Sequence, residues 1–227
     1  MLQSCAGERQ NPVTIESAIA QGIRHLGIPV PENAAACLAA YIALLERWNR
    51  AYNLTAVRRP EEMVSRHILD SLAILPWVQG PRVLDVGSGA GLPGLPLAVA
   101  RPEWACYLLD SNGKRTRFMQ QAVNELGLVN VNVIRCRLED YQPAIRFDSI
   151  VSRAFAALAE MVAGAGRLGA PGGRLLAMKG TYPQEEIAAL PSGYRVAGVY
   201  RLQVPGLDAE RHLVHLAPMD SKTQADI

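Results

Sequence analysis

The stretch Val83-Leu84-Asp85-Val86-Gly87-Ser88-Gly89-Ala90-Gly91-Leu92 decides the fold. Its apolar opening reads as a buried strand, its glycines as a tight turn, and the residues from Leu92 to Ala100 as the helix that follows. Glycines at 87, 89 and 91 leave no Cβ between the backbone and a ligand passing close to it. Asp85 sits at the strand end, two residues before the first of them. A carboxylate there repels a pyrophosphate and suits a ligand with a cationic centre.

The spacing separates two nucleotide readings. A dinucleotide turn has the form G-x-G-x-x-G, its third glycine packing the helix against the strand. Gly87 and Gly89 fit, but the third position is Leu92. There is no G-x-x-x-x-G-K-[ST] phosphate loop either. The chain has D-x-G-x-G-x-G, the pattern of Rossmann-like folds that bind S-adenosylmethionine (SAM). A second apolar run, Trp104-Ala105-Cys106-Tyr107-Leu108-Leu109, ends in Asp110. An acid ending the second strand, about 20 residues past the glycine turn, is where such folds hold ribose hydroxyls. Those contacts are charge-assisted. Taken singly, the two features also read as a plain strand-to-helix turn and a helix N-cap; their joint spacing favours the ligand.

The chain has 227 residues, 49% hydrophobic and 19% charged, with a formal net charge of +2 and a pI near 8.4. That is material for one sizeable domain, or a domain with a small appendage. The charge is too mild to mark a nucleic-acid binder by itself. Arg47, Arg50, Arg58, Arg59 and Arg66 form one cluster, and Lys114, Arg115 and Arg117 another; each alone reads as a solvated helix face. No apolar run reaches the ~18 residues of a membrane span, and residues 1–12 lack the order of a secretion signal. The four cysteines are scattered, Cys106 and Cys136 being expected inside strands as small buried hydrophobes. The histidines show no metal-ligand spacing. The expectation is a reduced, cytoplasmic protein without disulfides or metal.

Upstream of the glycine turn the pattern is helical. Ile15, Ile19, Ile23 and Leu26 share a face that Gly27 ends. Leu38, Tyr41, Ile42, Leu45 and Trp48 line a longer helix, opened by Pro31 and broken at Asn53-Leu54-Thr55. Pro60 suits a first helical turn, and Met63, His67, Ser71 and Ile74 continue one side to Pro76. Downstream, strands are expected near 82–86, 104–109, 130–135, 147–152, 174–179, 194–203 and 211–216, and helices near 92–100, 113–126, 156–167 and 183–190. Such alternation gives an α/β fold with a mostly parallel sheet covered on both faces. The last two strands are joined through Pro205-Gly206 without a helix and should pair antiparallel. The expected architecture is a Rossmann-like SAM-dependent methyltransferase core, seven strands with an antiparallel last strand, over 79–219. An N-terminal helical substrate-recognition part over 1–78 precedes it, and a flexible tail at 220–227 follows.

Four blocks carry a resemblance: Trp48-Asn49-Arg50-Ala51-Tyr52-Asn53-Leu54-Thr55-Ala56, His67-Ile68-Leu69-Asp70-Ser71-Leu72, Asp85 through Leu95, and Leu109-Asp110-Ser111-Asn112-Gly113-Lys114-Arg115. Ser152-Arg153-Ala154-Phe155, Lys179-Gly180 and Glu210-Arg211-His212 agree in order and place. From about Tyr41 to Ala217 the chain resembles the bacterial small-subunit (16S) ribosomal RNA guanine-N7 methyltransferases, also called the glucose-inhibited division protein B family. The resemblance implies SAM as cofactor and 16S ribosomal RNA, in the small ribosomal subunit, as partner. It implies methylation of N7 of a guanine, guanine 527 in the RNA's own numbering, by a monomer.

The cofactor-binding candidates that follow from the resemblance are Gly87, Gly89 and Leu92 in the turn, Leu138 and Glu139 after the third strand, and Arg153 after the fourth. Asp110 joins them on the ribose argument. Asp85 joins on the charge argument, although it also reads as a residue that orients the turn. Leu138 alternatively reads as plain core. Candidate substrate groups are Asn53, Thr55, Arg66, His67, Asp70, Ser71, Ser152 and Arg211. His67, on an apolar helix face, equally reads as a hydrogen-bonded core histidine, and Asn53 as a turn cap. An arginine bidentate on guanine would cover N7, which places Arg153 with the cofactor or the pocket wall. No acid–base pair stands out. Guanine N7 carries a lone pair and no proton at neutral pH, so an in-line displacement there needs positioning and no general base. Two other readings are a SAM methyltransferase of a small molecule or protein, and a non-catalytic RNA- or nucleotide-binding module on a decayed domain. The intact Asp85, glycine turn and Asp110 argue against decay. The blocks at 53–55 and 67–71 argue, through the resemblance, against a small-molecule enzyme.

Overall fold

The computed structural model describes residues 14–153, 155 and 157–219; the tail expected at 220–227 lies outside them. Helix α1 (Ile15–Leu26) opens at Thr14, whose hydroxyl accepts from the Ser17 N–H at 3.1 Å, and closes at Gly27 with φ +64°, the left-handed conformation of a helix C-cap. Helix α2 (Ala34–Tyr52) ends at Asn53, the one described non-glycine residue with positive φ, +47°. Asparagine tolerates that region better than most residues. Helix α3 (Pro60–Met63) takes Pro60 at its first position and runs into a π-helical turn, Val64–Leu69, before α4 (Asp70–Leu72). The apolar side expected along this segment is buried at Met63, His67, Ser71 and Ile74.

The sheet region follows as β1 (Arg82–Val86), α5 (Gly94–Ala100), β2 (Ala105–Asp110), α6 (Gly113–Leu126), β3 (Val131–Arg135), β4 (Phe147–Ser152), α7 (Leu158–Ala165), β5 (Gly169–Lys179), α8 (Gln184–Ala188), β6 (Tyr194–Arg201) and β7 (His212–Pro218). The seven strands lie in the order β3-β2-β1-β4-β5-β7-β6. The first five in that order pair in parallel, and β7 is antiparallel to both β5 and β6. The expected seven-stranded α/β sheet with an antiparallel last strand is therefore present.

Chain direction along the sheet reverses at β1, with β2 on one side and β4 on the other. Open α/β sheets bind ligands in the crevice beyond the carboxyl ends of the strands at such a point. The register fixes what gathers there. Val86 faces Leu109 and Asp85 faces Val151, so Gly87 and Asp110, one residue on from the first pair, and Arg153, two on from Val151, come side by side.

Two details differ from the sequence reading. The helix expected from Leu92 begins at Gly94, because the Gly91 and Leu92 N–H groups both return to the Ser88 carbonyl and keep residues 90–93 in turns. Cys136 lies one residue beyond β3 and is half-buried.

The helical N-terminal part is not a loose appendage. Ile19, Leu38, Tyr41 and Leu45 share one continuous core with Leu97, Phe118 and Met119. The Phe118 ring lies 6.2 Å from Tyr41 and 5.7 Å from Trp48. Burying a large apolar side chain of this kind contributes about 1.5–3 kcal/mol, and several such side chains hold α2 to α5 and α6. On the opposite face Phe147, Leu158 and Met161 form a second core. No described helix is long and apolar enough to cross a membrane.

Candidate functional site

The glycine turn is fixed from three directions. The Gly87 and Ser88 N–H groups donate to the Leu109 carbonyl at 2.8 and 3.1 Å. The Gly89 N–H donates to Asp110 Oδ2 at 2.9 Å. The Tyr41 hydroxyl reaches across from α2 to donate to the Ala90 carbonyl at 2.7 Å. Gly87, Gly89 and Gly91 have φ of +70°, +60° and +85°, which side chains with a Cβ resist. A Cβ on Gly89 would meet nothing nearer than the Gly87 carbonyl at 3.9 Å, so the outer side of the turn is open to a ligand.

Asp85 is 1% exposed and lies beneath the turn. Its Oδ2 accepts from the Gly94 N–H at 2.9 Å, and its buried Oδ1 has no hydrogen-bond partner. Burial pushes its carboxyl up to about 7, against the lowering effect of the Gly94 N–H. The sequence reading set this carboxylate against a cationic ligand. The structure sets it behind the backbone, where it fixes the turn to the start of α5.

Three cavities run end to end along the carboxyl ends of the strands. The first, about 380 Å³, is walled by Gly87, Asp110, Arg115, Leu138, Glu139 and Glu160, among others. The second, about 130 Å³, is walled by Leu54, Thr55, Gly87, Ser88, Gly89, Ala90, Leu92, Arg115 and Arg153. The third, about 340 Å³, has Val57, Arg66, His67, Asp70, Arg153, Met178, Lys179, Gly180 and Arg211 around it. Gly87 and Arg115 belong to the first and second cavities, and Arg153 to the second and third.

The first cavity fits an adenosyl group. Both Asp110 oxygens already accept backbone N–H groups, from Gly89 at 2.9 Å and Asn112 at 2.8 Å. The Arg115 guanidinium takes a third contact, on Oδ2 at 3.5 Å, and a carboxylate has about four acceptor sites, so a ribose hydroxyl can still be met. Leu138 supplies an apolar wall and packs on Gly164, where a Cβ would come within 2.6 Å of it. Glu139 is exposed at the rim. The turn carrying both is braced by Arg167, which no motif or spacing marks out. One Arg167 nitrogen donates to the carbonyls of Leu138, Glu139 and Tyr141 at 2.9, 3.3 and 2.8 Å.

In the third cavity, His67 Nδ1 faces the Arg66 carbonyl at 2.9 Å and Nε2 faces the Thr55 hydroxyl at 2.8 Å. Burial, then the charge of Arg153, push the imidazole down to about 4. Asp70 Oδ1 accepts from Arg211 Nε at 3.0 Å and Oδ2 from the Arg153 guanidinium at 3.4 Å. Burial raises the Asp70 carboxyl above its ordinary range in spite of both arginines. Lys179 pairs with Glu186 at 2.7 Å and donates to the Phe155 carbonyl at 3.1 Å. Arg66 is exposed.

The other substrate candidates stand apart from these walls. Asn53 is the exposed cap of α2, and its side-chain oxygen accepts from Arg58 at 2.9 Å. Ser71 is fully buried and returns its hydroxyl to the His67 carbonyl. Ser152 is buried and donates to the Val86 carbonyl at 2.8 Å, tying β4 to β1. The sequence reading passed over Asn49. Its buried amide accepts from the Thr55 N–H at 2.9 Å and donates to the Thr55 and Val57 carbonyls, shaping the loop that brings Thr55 to the second cavity. It sits inside a block quoted for resemblance, but helical spacing alone does not mark it as a loop anchor.

The family model described as rRNA small subunit methyltransferase G matches residues 34–214. The chain is 55% identical over 208 residues to the ribosomal RNA small subunit methyltransferase G of Alkalilimnicola ehrlichii, which covers 91% of this chain and 94% of that one. It is 50% identical over 203 residues to the protein of the same description from Nitrosococcus oceani, covering 89% and 95%. Among solved structures it shares a fold with TrmN from Thermus thermophilus, at 22% identity and a TM-score of 0.54 over 77% of this chain and 53% of that one. It shares a fold too with a SAM-dependent methyltransferase from Thiobacillus denitrificans in complex with S-adenosyl-L-homocysteine, at 14% identity and a TM-score of 0.53 over 78% and 98%.

Proposed function

Because this chain belongs to the rRNA small subunit methyltransferase G family, we propose that it transfers a methyl group from SAM to N7 of a guanine in 16S ribosomal RNA. The guanine is the one the resemblance implies, the small ribosomal subunit is the partner, and one chain in the cytoplasm is the working unit. The observation that carries this reading is the sequence of joined cavities, in which a small middle chamber connects a cleft suited to adenosine with a basic pocket.

SAM, when bound, supplies a methyl group already activated by a sulfonium. Asp110, Leu138 and Glu139 would hold its adenosyl end, and Gly87 and Gly89 leave backbone room for the rest. Among the described residues, none that lines the middle chamber carries a carboxylate or an imidazole. That lining supports an acceptor with no proton to lose, and guanine N7 is such an atom. His67 is a weak base, pushed down to about 4, and both of its ring nitrogens are engaged within the protein, which leaves it poorly suited to take a proton from the substrate. The rate then rests on holding N7 in line with the transferred methyl. A guanine reaching this chamber must leave its stack, and Arg66 and Arg211 at the adjoining pocket suit the flanking phosphates.

The test is transfer of labelled methyl from SAM to purified small subunits and to free 16S RNA, followed by mapping of the product. Label on one guanine, at N7 by chemical cleavage, is the expected result. Label on a pyrimidine, a ribose or a ribosomal protein refutes the assignment. Light scattering of the active protein checks that it works as a single chain.

A further inference from the structure

We propose that Asp70 is a positioning residue that sets both the place and the net charge of the two arginines at the junction between cofactor and RNA pockets. It is not a substrate contact. This rests on the methyl transfer proposed above.

Asp70 comes from the helical N-terminal part, Arg153 from the end of β4 and Arg211 from the residue before β7. The Asp70 side chain is 3% exposed, against 28% for Arg153 and 24% for Arg211. The carboxylate therefore points inward with one oxygen spent on each arginine, while the guanidinium groups reach the cavity. Arg153 is fixed a second time, by donation to the Arg66 carbonyl at 3.2 Å within the π-turn. It is also the one side chain that walls both the middle chamber and the basic pocket. Whatever orients Arg153 orients that boundary.

Charge gives the second half of the argument. Arg66, Arg153, Lys179 and Arg211 surround the pocket, and among the described residues Asp70 is the only carboxylate in its walls. Lys179 is paired with Glu186 behind it. Methylation of a neutral ring nitrogen makes the base cationic. Two uncompensated guanidinium groups beside it would oppose that change, and a carboxylate between them offsets the opposition. The competing view makes Asp70 mere glue between segments, a partly buried ion-pair network with no bearing on chemistry.

Asp70→Asn separates the two. The measurements are single-turnover methyl transfer to small subunits at saturating RNA and SAM, SAM affinity by calorimetry, RNA affinity across salt concentrations, and thermal melting. The rate should fall by about tenfold to a hundredfold, as for a misplaced reacting group. SAM affinity should stay within about twofold, because Asp70 does not border the adenosyl cleft. RNA should bind as tightly or more tightly, with a steeper salt dependence, since positive charge has been unmasked. Adding Arg211→Met to this variant should slow it little further, because the two residues act as a unit. A rate within about twofold of the parent enzyme overturns the proposal. So does a parallel loss of melting temperature, SAM affinity and RNA affinity, the signature of glue.

If Asp70→Asn does not fold, Asp70→Glu decides. It keeps the charge and moves it by one methylene, so the rate should drop with the salt dependence unchanged, and an unaltered rate overturns the proposal. A parent enzyme that labels no small-subunit RNA refutes the proposed function itself, and this inference with it. A parent enzyme that labels guanine beside a fully active Asp70→Asn refutes the inference alone.

Discussion

The Thr55 hydroxyl donates a hydrogen bond to Nε2 of His67 across 2.8 Å, while Nδ1 of the same ring donates to the Arg66 carbonyl at 2.9 Å. A carbonyl can only accept, so Nδ1 carries the proton and Nε2 is the acceptor. The pair joins the loop after α2 to the π-turn, while burial and the charge of Arg153 push the imidazole down to about 4, against the raising effect of the Arg66 carbonyl.

At saturating SAM the chemical step should accordingly be nearly flat in pH from about 6 to 9, since neither N7 nor His67 titrates there and Asp85, raised to about 7, lies beneath the turn and away from the reacting atoms. Single-turnover rates with saturating RNA check this, and His67→Gln should be flat as well, even if slower. A steep rise through a single pKa, lost in that variant, would mean that a proton is removed during transfer, and the guanine-N7 assignment would have to be abandoned.

Stability should respond to pH in two opposite ways. His67 is lowered from 6.5 to about 4 in the folded chain, so the unfolded chain binds the extra proton between those values. Its contribution is complete above 6.5 and is lost as pH falls toward 4, and His67→Gln should remove that part of the acid loss. Asp85 is raised from 3.8 to about 7 by burial. Its contribution is complete below 3.8 and is lost as pH rises through 7. Asp85→Asn keeps an acceptor for the Gly94 N–H and should flatten the fall between pH 3.8 and about 7. Denaturant titrations across this range would read both; an Asp85→Asn protein losing stability through pH 7 like the parent would contradict the buried-acid account.

SAM binding should depend on the glycine turn and on Asp110 together. Gly87→Val places a branched side chain at φ +70° on the wall shared by two cavities. Asp110→Ala removes the acceptor for two backbone N–H groups as well as the ribose contact. Hydrogen bonds to a charged group are worth about 1.5–3 kcal/mol, so calorimetry should show SAM and its demethylated product weakened by about tenfold or more. Unchanged affinity in both folded variants would remove the cleft as the cofactor site.

RNA binding should depend on Arg66 more than on the other arginines of the N-terminal part. Arg47 is paired with Glu125, Arg50 with Glu46, and Arg59 with Glu61 and Glu62. Arg58 is engaged by Asn53. Arg66 is exposed and lines the basic pocket. Arg66→Gln should weaken RNA uniformly and reduce the salt slope by about one, with SAM affinity spared. A larger loss from Arg47→Gln than from Arg66→Gln would move the RNA surface to the outer face of α2.

The sheet, its antiparallel final strand and the helical N-terminal part were legible because period and punctuation are local properties: apolar runs, Gly27, Pro60, the glycine turn. The place of Asp110, at the end of β2 beside the turn, was legible because spacing along the chain fixes it. Asp85 was legible only as two alternatives, ligand contact or turn orienter, because its distance behind the turn depends on how α5 packs, and Gly94 is the residue that captures it. Ser71 and Ser152 lie in blocks of resemblance, yet their hydroxyls are spent on backbone carbonyls. Asn49, Arg167 and the sharing of Asp70 between two arginines arise from contacts between distant segments, and no periodicity records those.

The position of β7 has a consequence for how the protein is made. It lies between β5 and β6, and β6 has no other neighbour in the sheet. During synthesis, then, β6 must wait unpaired until His212–Pro218 has left the ribosome. Arg211 arrives beside Asp70 in the same late step. The chain cannot assemble its basic pocket early and finish its sheet afterwards, so a nascent chain stalled before His212 should hold β1 through β5 and still lack both. Contacts so far apart in sequence are the slow ones to close, and here the last of them to form also completes the pocket.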